Sequence, residues 1–113
     1  MTKIGVYPGT FDPMTNGHLN IIQRSLKIVD KLIIGVADNL NKKPILTFEE
    51  RKDIIVKDID LLNLGIKEIE IHSVTGLLTE FAKKHKAICI IRGLRAVSDF
   101  EYEFKMTGMH YQL

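Results

Sequence analysis

A chain of 113 residues, 45% apolar and 27% charged, has room for one domain with one core, and no apolar run approaches the roughly 18 residues of a membrane span. A formal net charge of +2 is too small to point to nucleic acid by itself, and the single cysteine, Cys89, excludes an internal disulfide and a cysteine metal cluster. Met1 to Lys3 leads straight into an apolar run, so neither signal nor transit peptide is expected, and the expected location is cytoplasmic.

Lys3 to Tyr7 reads as a first strand. The stretch Tyr7 to His18 follows, crowded with Thr10, Asp12, Thr15, Asn16 and His18 and punctuated by prolines and glycines, and it is too rich for a mere connection. A helix from Gly17 to about Val29 is expected, with apolar residues at 19, 22, 26 and 29 and Asn16 as its N-cap. Lys31 to Ala37 is almost continuously apolar, the pattern of a strand covered on both faces. A polar loop with Lys42, Lys43 and Pro44 leads to Thr47, which forms a capping box with Glu50 and opens a helix through Arg51, Ile54, Ile55 and Ile59. Lys67 to Ser73 alternates, Ile69 and Ile71 against Glu68, Glu70 and His72, and belongs at a sheet edge.

A third helix is expected from Thr75 or Gly76 through Leu77, Leu78, Phe81 and Ala82 to the basic cluster Lys83 to Lys86, charges suited to a helix C-terminus. Ala87 to Ile91 is a further fully covered strand, and Arg92 to Arg95 a loop. Ser98 with Glu101 reads as a second capping box, opening a last helix through Phe100, Phe104 and Met109.

Alternating strands and helices imply right-handed crossovers and a parallel sheet. With the amphipathic third strand at the edge and the three apolar ones central, the expected fold is a Rossmann-like, doubly wound α/β sheet of order 3-2-1-4, with no fifth strand in this chain. The topological switch lies between strands one and four, so the loops after them, Tyr7 to His18 and Arg92 to Ser98, should open a ligand crevice. Arg92 and Arg95 around Gly93, beside a helix N-terminus, suit phosphate, and Lys42 would add a third cation. His18 in the first turn can donate to a phosphoryl oxygen, and Thr10 offers a hydroxyl and an N–H. No Gly-x-Gly-x-x-Gly or P-loop follows the first strand, which leaves transfer by positioning. Asp12, before a proline, reads as a turn former or a magnesium ligand, and no metal ligand is assigned. His72, His85 and His110 lack metal-ligand spacing, Cys89 reads as a core residue, and the Lys83 to Lys86 cluster as a solvated helix end without the aromatic interleaving of a nucleic-acid site.

Tyr7-Pro-Gly-Thr-Phe-Asp-Pro with Thr15-Asn-Gly-His18 resembles the T/HxGH signature of the nucleotidylyltransferase superfamily. Lys42-Lys-Pro44, Thr47-x-Glu-Glu-Arg51 and Arg92-Gly-Leu-Arg-Ala-Val-Ser-Asp-Phe-Glu-Tyr-Glu103 extend the likeness to the bacterial phosphopantetheine adenylyltransferase family. Thr15 stands where cytidylyltransferase relatives usually carry histidine.

The resemblance implies adenylyl transfer from ATP to 4′-phosphopantetheine, giving dephospho-coenzyme A and pyrophosphate, with Mg2+ carried by the ATP phosphates. Thr10 and His18 would hold the α-phosphoryl group, and Lys42 and Arg92 would orient the attacking phosphate. Thr10, Phe11, His18, Gly93, Leu94, Arg95 and Glu103 would contact ATP, while Thr10, Lys42, Leu78 and Arg92 would bind the acceptor, Leu78 along the pantetheine arm. A homohexamer is implied as well, with Phe104, Met106 and Met109 in a subunit contact. The family continues into a fifth strand and a serine- and threonine-rich ATP-binding segment that this sequence does not match, so one domain over residues 1–113 is expected, truncated or disordered beyond them. Two other readings stay open: a related nucleotidylyltransferase using another phosphorylated acceptor, and a nucleotide-binding module without catalysis.

Overall fold

The computed structural model describes residues 2–38, 44–64 and 68–93, and the backbone of 100–106 and 109–112. The strands are β1 (Ile4–Gly9), β2 (Lys31–Ala37), β3 (Glu68–Val74), β4 (Cys89–Gly93), β5 (Phe100–Met106) and β6 (Met109–Gln112). The helices are α1 (Asn16–Ser25), α2 (Phe48–Leu62) and α3 (Leu78–Lys84). Strands β3, β2, β1 and β4 lie side by side in parallel, the expected 3-2-1-4 order.

Strand alternation sends successive side chains to opposite faces, and each face has its own core. Tyr7, Leu32, Ile34, Val36, Cys89 and Ile91 pack with Ile21, Ile22 and Leu26 and with Ile55 of α2. Val6, Ile33 and Ile90 pack on the other face with Ala82, Leu78 and Phe81 of α3. Right-handed crossovers require this division: α1 and α2 connect strands moving one way across the sheet, whereas α3 returns the chain past β1 to β4. The reversal therefore falls between β1 and β4, where the sequence places it.

Local chemistry shifts several boundaries. Thr15, rather than Asn16, caps α1: its Oγ1 accepts the His18 N–H, and the His18 ring accepts the Thr15 N–H in return. Histidine fills the place usually held by Glu or Gln, so the capping box is hidden from the common pattern. The Thr47–Glu50 box of α2 is as expected. Helix α3 begins at Leu78 with no side-chain cap, which leaves Thr75 and Gly76 in the loop before it. Arg92 and Gly93 end β4 rather than starting a loop.

The largest departure follows. In place of the expected last helix, the backbone of 100–106 runs antiparallel to β4, Cys89 opposite Phe104 and Gly93 opposite Phe100, and β6 adds to β5. The expectation that this chain has no fifth strand is therefore corrected. Phe100, Tyr102, Phe104 and Met106 alternate with Glu101, Glu103 and Lys105, a period of two that suits a strand, and the outer flank of β4 would otherwise be an unpaired edge. Ser98 of the expected capping box lies outside the described residues.

Candidate active site

The carboxyl ends of β1 to β3 surround a cavity of about 410 Å3 lined by residues that include Gly9, Thr10, Ala37, Val74, Gly76 and Leu78. Thr10 and Leu78, both implied by the resemblance to bind the acceptor, thus share a cavity. Thr10 is exposed, and Leu78 is half-buried at the start of α3.

After Thr10 the chain takes a sharp course. Phe11 has φ of 50°, a left-handed conformation that is uncommon for a bulky residue. Its ring is fully buried, edge-on to Tyr7 at 5.3 Å and tilted against His18 at 4.8 Å. Gly9 makes room for it, since a Cβ there would lie 3.0 Å from the ring. Phe11 is therefore a core anchor, and only its backbone can meet a ligand.

His18 is oriented by its own helix. Its Nδ1 accepts the Thr15 backbone N–H at 2.9 Å, so Nδ1 carries the lone pair and the neutral ring bears its proton on Nε2. Burial holds the imidazole below its ordinary value of 6.5, which favours this neutral form. Cap, stacking and burial thus prepare one donor, Nε2–H, on a half-buried ring.

Two residues outside the sequence assignment hold this loop. Asp12 Oδ2 accepts the Ile45 N–H at 2.7 Å and Oδ1 the Leu46 N–H at 2.9 Å, tying the loop after β1 to the segment before α2. Arg51, 1% exposed, donates from Nη1 to the carbonyls of Thr10 and Ala37, each at 2.9 Å, and from Nε to the Thr47 carbonyl at 3.3 Å. A signal for Arg51 was present: with Ile54, Ile55 and Ile59 it falls on the helix face that turns inward.

At the switch point, Gly93 packs against α1. A Cβ there would sit 3.1 Å from Ile21 Cγ1 and 3.4 Å from the Tyr7 hydroxyl, so the end of β4 approaches the helix that carries His18. Arg92 is exposed beside it. Lys42, Leu94 and Arg95 lie outside the described residues, and of Glu103 only its backbone position in β5 is described.

The cytidylyltransferase-like family matches residues 6–113. A phosphopantetheine adenylyltransferase of Caulobacter vibrioides is 54% identical over 111 residues, spanning 98% of this chain and 68% of that one. The chain belongs to the phosphopantetheine adenylyltransferase family. A second member, from Clostridium botulinum, is 53% identical over 98% of this chain and 67% of its own length. This adenylyltransferase-family chain thus spans about two thirds of these relatives. Its fold is shared with a bifunctional NMN adenylyltransferase/ADP ribose pyrophosphatase of Francisella tularensis, solved with AMP and a manganese ion, at a TM-score of 0.60 and 28% identity over 74% of this chain and 25% of that one. A lipopolysaccharide core biosynthesis protein of Thermoplasma volcanium, 22% identical over 80% of this chain and 73% of its own, shares the fold at a TM-score of 0.58.

Proposed function

We propose that this chain transfers the adenylyl group of ATP to 4′-phosphopantetheine, releasing pyrophosphate and forming dephospho-coenzyme A. The observation that carries the reading is the arrangement of His18: a neutral imidazole, its Nδ1 occupied by the helix cap, one loop away from the cavity containing Thr10. In this reading the acceptor's phosphate oxygen attacks the α-phosphorus in line, the bond to the bridging oxygen breaks, and pyrophosphate leaves. The chain contributes alignment and charge stabilisation rather than a covalent intermediate. His18 Nε2–H and the Thr10 hydroxyl stabilise the α-phosphoryl oxygens, with the Phe11 N–H beside them. Arg92 and Lys42 orient the acceptor phosphate, and Leu78 lies along the pantetheine arm. Gly93, Leu94, Arg95 and Glu103 contact the nucleotide.

Magnesium enters this reading as part of the substrate, MgATP. Among the described residues no three His, Cys, Asp or Glu side chains are grouped to hold a metal, and both Asp12 oxygens accept backbone N–H groups. A homohexameric, cytoplasmic enzyme completes the reading, and light scattering tests the assembly. No helix among the described residues is long and apolar enough to cross a membrane.

The test is pyrophosphate release from ATP, Mg2+ and 4′-phosphopantetheine by the wild type and His18→Ala. The expected loss is ~10²- to 10³-fold in the variant, the usual effect of removing one preorganised donor. Turnover equal to wild type refutes the role of His18. Release only with another phosphorylated acceptor points to a different substrate, and ATP binding without release points to a binding module.

A further inference from the structure

We propose that Arg51 is a positioning residue, which fixes the peptide between Thr10 and Phe11 in the orientation needed to receive a phosphate. This rests on the adenylyl-transfer reading above. The β1–β2 ladder ends at Gly9 opposite Val36. Thr10 and Ala37 are the next residues on each strand, and here the pairing changes: a single Arg51 nitrogen, Nη1, donates to both carbonyls at 2.9 Å. Nε reaches the Thr47 carbonyl at the cap of α2. Nη2 has no hydrogen bond and stands 3.6 Å from Asp38 Oδ1, an ion-pair contact. One buried planar cation thus gathers the ends of two strands and the start of a helix.

The consequence for Thr10 follows from peptide geometry. In a planar trans peptide the C=O and the next N–H point in opposite directions. Holding the Thr10 carbonyl on the buried guanidinium therefore directs the Phe11 N–H away from it. Because Phe11 sits at φ of 50°, a bulky residue in a sparsely populated region, its conformation needs restraint from neighbours. Arg51 restrains it from the Thr10 side, and Asp12, bonded to Ile45 and Leu46, from the other. Lysine is a poor replacement, since a point ammonium lacks the planar fork that reaches three carbonyls in fixed directions.

The test uses Arg51→Lys with two readouts. Amide exchange should quicken at least roughly tenfold in peptides covering residues 10–15 while peptides covering β2 keep their protection, the pattern of local release without global loss. Turnover should fall on the order of tenfold to a hundredfold, in kcat more than in the KM for ATP, as expected for misplaced catalytic groups.

Unchanged exchange at residues 10–15, an equal rise everywhere, or a kcat equal to wild type overturns the proposal. So does loss of cooperative melting in Arg51→Lys, which would make Arg51 purely structural. A wild type without pyrophosphate release defeats the adenylyl-transfer reading instead, and the exchange comparison still decides whether Arg51 orients the loop.

Discussion

Two regions of this sheet use similar polar residues to opposite effect. At the carboxyl ends of β1 and β2, Arg51 is buried and its bonds go to backbone carbonyls, while Asp12 receives two backbone N–H groups. At the edge strand β3, Glu70 is bonded to Lys31 at 2.7 Å and to His72 at 2.9 Å, all three partly exposed. Side chains bonded to backbone fix the course of the chain, whereas side chains bonded to each other at the surface only decorate it. Ion pairs in water contribute little because solvation and rotamer freedom offset them.

The largest expected effect separates the two tasks of His18. Glutamine at an N3 position can also receive the N-cap N–H, so His18→Gln should retain α1 and melt close to the wild type. Its pyrophosphate release should still fall ~10²-fold or more, since the imidazole donor is gone. Equal turnover would mean that His18 serves the helix alone.

Next in size is Asp12→Ala, which strands the N–H groups of Ile45 and Leu46. Hydrogen bonds to a charged group contribute about 1.5–3 kcal/mol, and partial access to water places the expected loss at the lower end, about 1–2 kcal/mol by denaturant titration. Glu70→Gln gives the contrast at the edge. A melting temperature within about 2 °C of wild type is expected there, and a drop comparable with Asp12→Ala would erase the distinction between the two regions.

The smallest effect is a pH dependence shared by both regions. Burial lowers His18, and burial followed by the charges of His72 and Lys84 lowers His85. In each case the unfolded imidazole, near 6.5, binds its proton first as the pH falls. The stability associated with the neutral rings is therefore present above about pH 6.5 and is lost as the pH drops through the lower folded values. Melting curves between pH 7.5 and 5 should show this decline, reduced in His18→Gln and reduced again when His85→Gln is added. An unchanged slope in the double variant would assign the decline to other groups.

Much of the fold was legible because periodicity reports burial directly. Lys31 to Ala37 reads as covered on both faces and is the inner strand β2, while the alternation of Glu68 to Ser73 places β3 at the edge. The Thr47–Glu50 box opened a helix as expected, yet Glu101, expected inside another helix, lies in strand β5. A capping box states only what a helix end would gain. It cannot weigh that gain against the unpaired flank of β4, which strands β5 and β6 cover.

The sequence alone determined the order of the four parallel strands, the switch point, and the placing of Thr10 just after β1 and His18 in the first turn of α1, because hydrophobic period and loop chemistry are local properties. Only the tertiary structure decided that Phe11 is a buried anchor and that Asp12 holds the segment before α2 across an interval of 33 residues. It also decided that Arg51 joins Thr10 to Ala37. These roles depend on which carbonyls and N–H groups are left over where strands end, and those groups find their partners only after the sheet has assembled.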